Sequence, residues 1–407
     1  MNRAVILALA AVLTVFLTGC ATEGPLSASG KPISKATLDA AHQRVEEEQI
    51  PPDLQPYYFS MYSEGRENQC LYAMEGGLVA LRSGQLDRAQ TLLQFACEDV
   101  DSLMAGAEDA RRAQGKFTKE QEKWFKGESY ERSAVFMYRG LIYLIRHDFG
   151  NAAACFKRVQ LYDVTGDDEP GFAGDWYSAE WALALASLKQ GFTSDADAAM
   201  KRAAAFGSRQ GDVPPPRADV NLLIVVEAGE GPVKYRVGKY GERMRYREEP
   251  CPVTRVEVLR DKQTLTASAA AESLWFQATT RGKRVVDSIL NGKAEFKEGT
   301  GIAAVGLGTG ALIAARQGGR DSGIAAGVLG GLAIIAAGVS AATTPQADIR
   351  EWNNLPHSLF FVGLTLPPGE TSLSVMGQNA LGSVIRVQDV KTVIQKDDPL
   401  AVVFVRF

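Results

Sequence analysis

Between Gly318 and Gly338 the chain reads GGRDSGIAAGVLGGLAIIAAG, with Gly319, Gly323, Gly327 and Gly331 four residues apart. On a helix this spacing lines the glycines along one face, yet glycine is a poor helix former in water. Such a segment is stable as a helix only when something packs against the bare stripe. A preceding stretch, GIAAVGLGTGALIAA, repeats the spacing with Gly306, Gly310 and Ala314, and the polar RQGGRD joins the two. Residues 301–342 therefore read as a glycine-zipper helical hairpin. Small residues every four positions let helices approach closely where lipid supplies no hydrophobic drive between them. The second stretch has about the length needed to span a bilayer, and the first falls short of the roughly twenty residues required. Two readings stand: a membrane-inserting or self-associating hairpin, and a soluble hairpin buried against protein. A third is excluded. Gly306-Leu307-Gly308-Thr309-Gly310-Ala311 matches G-x-G-x-x-A, but a dinucleotide site also needs a preceding strand and an acid about twenty residues on. Neither is present.

The chain opens MNRAVILALAAVLTVFLTGC, with Arg3 ahead of an apolar run from Ala4 to Phe16. Residues 1–19 have the form of a signal peptide, and Leu17-Thr18-Gly19-Cys20 resembles a bacterial lipobox. The resemblance implies cleavage before Cys20, lipid modification of that residue and, with Ala21 rather than aspartate next, outer-membrane sorting. Several acyl chains anchor stably where one is marginal. Residues 20–50 are expected to form the lipid anchor and a flexible tether, because ATEGPLSASGKPISK is small and polar. A net charge of −4 with 8% aromatics gives no basic face for nucleic acid.

From 51 to 210 strong helix formers dominate, with apolar residues three and four apart. Three stretches match one another weakly: LYAMEGGLVALRSGQLDRAQTLLQFA, MYRGLIYLIRHDFGNAAACFKRV and WALALASLKQGFTSDADAAMKRA. Each has the form of two helices around a polar turn, and they resemble tetratricopeptide repeats. Gly77, Ala80, Ala89 and Leu93 occupy the small and large positions of that pattern in the first. Gly140, Tyr143, Phe149, Ala152 and Phe156 do so in the second, and Ala184, Ala196 and Met200 in the third. The spacing is uneven, because SLMAGAEDARRAQGKFTKEQEKWFKGE interrupts the array.

Residues 211–217 contain Pro214-Pro215-Pro216 and read as a linker that no helix can cross. Beyond it, 218–407 turns to β texture. Strands are expected at Leu222–Val226, Val253–Leu259, Ser383–Val390 and Ala401–Phe407, with two more over Ser358–Met376 joined at LPPGE. There Pro368-Gly369 suits a type II turn. A helix is expected near Leu265–Arg281. The fold class is thus α+β: a tetratricopeptide-like helical domain, then a small β-rich domain with the glycine hairpin inserted.

Candidate chemistry is sparse. Cys70 and Cys97 fall at the outer ends of the first repeat's two helices, where a disulfide or two separate buried thiols would both fit. Cys155 and Cys251 have no local partner. The loop DVTGDDEPGFAGD is acidic, but Asp168 stands where a calcium loop of the EF-hand type needs glycine. His42, His147 and His357 are scattered without metal spacing. No nucleophile elbow, zincin, C-x-x-C or phosphate-loop motif occurs, so neither catalysis nor a cofactor is expected. The ending AVVFVRF resembles the terminal strand of outer-membrane barrels, but the alternation does not recur about every ten residues as a barrel requires. It reads as the last strand of a soluble domain.

The combination of LTGC, FKGESYERSAVFMYRGLIYLIRHDFGNAAACF, the glycine hairpin and DIREWNNLPHSLFFVGLTLPPGE resembles a family of proteobacterial outer-membrane lipoproteins. These have a tetratricopeptide-like N-terminal region and a β-rich C-terminal part containing a glycine zipper. The resemblance implies a partner-binding role in an envelope assembly, with other lipoproteins among the candidate partners. The leading expectation is a non-enzymatic, periplasm-facing scaffold whose glycine hairpin drives homo-oligomerisation or membrane contact. The competing expectation is a subunit of an oligomeric secretion or pore-like complex. A peptidoglycan-modifying enzyme has only the compartment in its favour.

Overall fold

The computed structural model describes residues 24–105, 123–125, 127–164, 174–206, 211–280 and 346–407. The signal peptide 1–19, Cys20 and the glycine segment 301–342, with Gly306, Gly310, Ala314, Gly319, Gly323, Gly327 and Gly331, lie outside these residues. Within them the chain is α+β, helical up to Phe206 and mostly strand after it.

The helices are α1 (Lys35–Glu47), α2 (Gln55–Ser63), α3 (Arg66–Arg82), α4 (Leu86–Ala105), α5 (Ser129–Ile145), α6 (Phe149–Val164), α7 (Tyr177–Lys189) and α8 (Thr193–Phe206). Three consecutive pairs, α3–α4, α5–α6 and α7–α8, are closed by the same short turn. In each, the first helix ends on a left-handed residue: Gly84 (φ 72°), His147 (φ 57°) and Gly191 (φ 80°). The next N–H reaches back to a carbonyl five residues earlier: Gln85 to Ala80 (2.8 Å), Asp148 to Tyr143 (2.9 Å) and Phe192 to Ser187 (2.9 Å). This is the Schellman closure, which uses carbonyls the helix end leaves unpaired. Two pairs also cross at a glycine. A Cβ on Gly77 would lie 2.7 Å from Leu93, and one on Gly140 would lie 2.4 Å from the Phe156 ring.

The strands are β1 (Leu222–Ala228), β2 (Val233–Val237), β3 (Arg243–Arg247), β4 (Arg255–Arg260), β5 (Gln263–Ala269), β6 (Glu272–Ser273), β7 (Ser358–Leu364), β8 (Gly369–Gln378), β9 (Val384–Ile394) and β10 (Ala401–Arg406). A short helix, α9 (Leu274–Thr279), follows β6. One sheet has the order β10-β1-β7-β6, another β5-β4-β8-β9, and β2-β3 form a separate hairpin. The final strand lies parallel to β1, with Leu222 opposite Ala401 and Val226 opposite Val405.

Strand alternation sends the two faces of β1 to different places. Leu222, Ile224 and Val226 meet Val256, Val258, Leu373, Val375 and Val390 of the second sheet, forming a sandwich core. Leu223 and Val225 face the helices, in one continuous core with Trp181, Tyr138 and Phe361. All seven residues of β1 are buried. The molecule is therefore layered helix, sheet, sheet, and the first helix of each pair lies inside. Fourteen of the seventeen residues of α5 and eleven of the thirteen of α7 are buried, against three of fourteen in α8.

Three expectations need correction. Residues 24–50 are not a loose tether. Leu26 bridges Pro32, Ser27 and Ser29 are buried, and Lys31 Nζ is 2.5 Å from Glu67 Oε1, so the small polar run folds as a turn on α3. Residues 211–217 do not separate two bodies, because Trp181 Nε1 donates to the Pro214 carbonyl at 2.8 Å and Ala269 N to that of Asp212 at 2.9 Å. The helix near Leu265–Arg281 is β5, β6 and only the six residues of α9. There QTLTASA pairs along β4, and β-branched threonines fit a pleated surface better than a helix. The two strands expected on either side of LPPGE are present as β7 and β8. They belong to different sheets, and the segment carries the chain from one to the other.

Candidate functional site: the seam between helices and sheets

The residues that carry chemistry gather where the helices meet the first sheet. Glu128-x-x-Glu131 is a capping box at the start of α5, in which a glutamate three residues in reaches back to the cap N–H. Glu131 does more than cap. Its Oε2 accepts from Glu128 N (2.7 Å) and from Lys234 Nζ (2.6 Å), and its Oε1 accepts from Trp352 N (2.8 Å). Both charged side chains are out of water, at 0% exposure for Glu131 and 2% for Lys234. Lys234 also donates to the Arg350 carbonyl at 2.9 Å. A helix start, a hairpin strand and the segment 346–357 are thus joined at one carboxylate.

That segment, QADIREWNNLPH, runs across α3 and is held polar group by polar group. Arg350 donates to the Glu67 carbonyl (3.1 Å), Asn68 Oδ1 (2.8 Å), the Lys123 carbonyl (2.8 Å) and Asp348 Oδ2 (2.7 Å). Glu351 accepts from Lys234 N at 2.5 Å, and Asn354 Nδ2 donates to the Glu75 carbonyl at 3.0 Å. A second lock sits on β1. Glu227, 1% exposed, accepts from Arg82 Nε and from the Tyr138 hydroxyl, both at 2.6 Å, and Arg82 also donates to the Asn354 carbonyl. A third joins α7 to β6, where Ser178 donates its N–H and hydroxyl to Glu272 Oε2.

Burial sets the electrostatics. Glu272 is pushed up to about 8 by loss of solvent, against the opposing hydrogen bond from Gln277. Glu75 also rises to about 8 through burial, opposed by the Asn353 N–H and reinforced by nearby Glu131 and Glu351. Glu351 shifts the same way for the same first cause. Removing a carboxylate from water disfavours its ionised form. These groups are held by donors of their own chain, and the Ser178–Glu272 contact is closed off from solvent. The arrangement is built for joining, since breaking one partner of such a buried pair is far more costly than its net contribution suggests.

The expected site residues fall elsewhere. Cys70 and Cys97 are brought to the same α3–α4 interface but are not bonded. All four described cysteines are free thiols. Cys70 Sγ points at the Ala96 carbonyl, 3.9 Å away. Cys97 is the next residue on the helix, turned about 100° further, and faces Arg139 of the following pair. Burial raises both thiols, and raises Cys155 to about 11. The histidines are apart: His42 stacks on Phe59, His147 meets the Leu400 carbonyl, and His357 meets Ser358. Among the described residues no group of three or more His, Cys, Asp or Glu could hold a metal ion, and no helix is long and apolar enough to cross a membrane. An open hollow at the α3–α4 turn is lined by Gly84, Gln85, Leu86, Asp87, Arg88 and Arg146. It holds an exposed Asp87–Arg146 ion pair.

Glu131, Glu227, Glu272, Lys234 and Arg350 were not singled out by sequence reasoning. A signal existed: Glu227 is the one charge in LLIVVEA, and Glu131 stands in the first turn of a helical run, where an acidic residue favours a helix start. A lone charge inside an apolar run marks a position that needs a partner.

No protein-family model, no curated protein and no solved structure matches the chain.

Proposed function

We propose that the chain is a non-enzymatic scaffold of the bacterial envelope, held to the outer membrane by a lipidated Cys20 and facing the periplasm. Its helix pairs are tetratricopeptide-like. The shared turns at Gly84, His147 and Gly191 support this, as do the close crossings at Gly77–Leu93 and Gly140–Phe156. The observation that carries the scaffold reading is the seam. Its buried charges are committed to joining helices to sheets, and the inner helices are covered by the chain's own β1 and β7. Partners therefore dock on outer surfaces, not in a groove lined by α3, α5 and α7. The glycine segment 301–342 supplies a further contact with membrane or protein.

Fractionation of envelopes tests this. Wild-type protein should sediment with outer membrane, and C20S protein should be released to the periplasm. Deleting 301–342 in the C20S background then reports whether the segment holds the chain to membrane by itself. A lytic band from the purified protein on a peptidoglycan zymogram would overturn the non-enzymatic reading.

A second reading, a subunit of an oligomeric secretion or pore-like complex, is favoured by one observation. Strand β9 exposes Val384, Ile385, Val387 and Val393 at the edge of its sheet. A pore subunit should run as a large ring in detergent, and a scaffold as a monomer or small oligomer.

A further inference from the structure

Strand β9 is at odds with the rest of the sandwich. Among the described residues it is the longest strand, pairs only with β8, and forms the end of the order β5-β4-β8-β9. Its first six residues, Val384 to Asp389, are all exposed. Val387 and Val393 are 55% and 53% exposed, and Leu381 at the hairpin tip is 89% exposed. An unpaired strand edge is a template for another strand. The opposite edge of the same sheet differs. Strand β5 carries no charge, and its last N–H, from Ala269, is taken by the Asp212 carbonyl.

The sequence of β9 narrows what fits it. Side chains directly opposite one another in an antiparallel pair share a face, so a strand pairing with its own copy must match odd positions with odd and even with even. The register centre then falls on a residue. Centring on Asp389 sets aspartate against aspartate, and centring on Lys391 sets lysine against lysine. Centring on Gln388 sets Asp389 against Val387. Centring on Val390 sets Asp389 opposite Lys391 of the second copy, and Val387 opposite its Val393, each twice around the two-fold axis. These four residues lie on the outer face of the sheet, where Ser374 Oγ donates to Asp389 Oδ1 at 2.7 Å and fixes the carboxylate on that side. The core face carries Val390 and Ile394, both buried.

We infer that β9 is an isologous dimer interface, in which two copies of the chain pair antiparallel about Val390 to give one continuous eight-stranded sheet. The occupant is a second copy because Asp389, Lys391 and the valines of the outer face complement themselves in this register, while on the core face Arg386 comes opposite Ile394. A C2 interface requires that self-complementarity.

The test uses the full chain in detergent. V390C places two thiols on the axis, within reach of a disulfide, and mild oxidation should yield a covalent dimer that wild-type protein does not form. V387C alone should not cross-link, because the two copies of that residue stand about 20 Å apart along the strand. V387C mixed with V393C should. Independently, D389K should weaken dimerisation about thirtyfold by setting lysine against lysine at two places. The double variant D389K/K391D reverses each pair and should restore it. A monomeric wild-type protein, equal cross-linking of V387C and V390C, or a double swap no better than D389K would each overturn the inference. The exposed positions 389 and 391 keep the question answerable even if V390C folds poorly.

Discussion

Strands β1 and β9 are both rich in valine and isoleucine, and they sit at opposite extremes of the molecule. All seven residues of β1 are covered, by helices on one face and by the second sheet on the other. Of the eleven in β9 only Val390 and Ile394 are buried. Each strand also carries charge. In β1 the single Glu227 is reached by Arg82 from α3 and Tyr138 from α5. In β9, Arg386, Asp389 and Lys391 stand in solvent. The same residue type does different work in the two places. On a central strand a charge must recruit a partner from another layer, and so fixes how the layers dock. On an edge strand water satisfies the charge, and its pattern is left to select what may pair there.

The largest expected effect comes from stripping a partner from the seam. E131A leaves Lys234 buried without its counter-charge and Trp352 N without an acceptor, and should cost about 3–5 kcal/mol in urea unfolding. An equal loss from E131A and K391A would erase the contrast between seam and edge.

Next is the pH dependence of Glu75. Its folded-state value of about 8 lies above the ordinary 4.5, so between these pH values the folded chain holds a proton that the unfolded chain has lost. Its contribution is whole below about 4.5 and is lost as pH rises toward 8. E75Q, neutral at every pH, should match wild type at low pH and exceed it at pH 8 by on the order of 4 kcal/mol. A difference that does not change with pH would remove burial as the cause.

G140A should cost about 1–3 kcal/mol, because its Cβ would meet the rigid Phe156 ring at 2.4 Å. G77A should cost less than G140A, since its Cβ would come to 2.7 Å from Cγ and Cδ2 of Leu93, a smaller overlap with a branched aliphatic side chain than 2.4 Å from a flat ring. Thermal melts of the two variants rank them. The smallest effect on unfolding of the undimerised chain belongs to K391A, within about 0.5 kcal/mol of wild type, as expected for a side chain that stands in solvent there.

Much of this layout was legible in the residues. Helical periodicity marked α3 to α8, and the change to β texture after Pro216 marked the second half. The run LLIVVEA was readable as a strand, and its lack of alternation fits burial on both faces. What was not legible depends on contacts between distant segments. Nothing local in GDVPPPRAD says that Trp181 will bind its Pro214 carbonyl. The small, polar SASGKPIS gives no sign of Glu64 at the end of α2 and Glu67 on α3 waiting to receive Ala28 N and Lys31. Cys70 and Cys97 share an interface as their spacing suggests, but the helical turn between Ala96 and Cys97 sends the thiols to different neighbours. The seam was hidden for the same reason. Glu131 and Lys234 are separated by 103 residues.

The central claim is that the β half is an integral cover over the inner helices, so that the two cannot part without global unfolding. Native-state hydrogen exchange across a urea series measures this directly, followed by mass spectrometry on peptides covering 129–145 and 222–228. The account predicts that both segments exchange through one opening event with a common free energy. Exchange of 222–228 at low urea while 129–145 stays protected would mean that the sheets detach and open the helical face, and would contradict it.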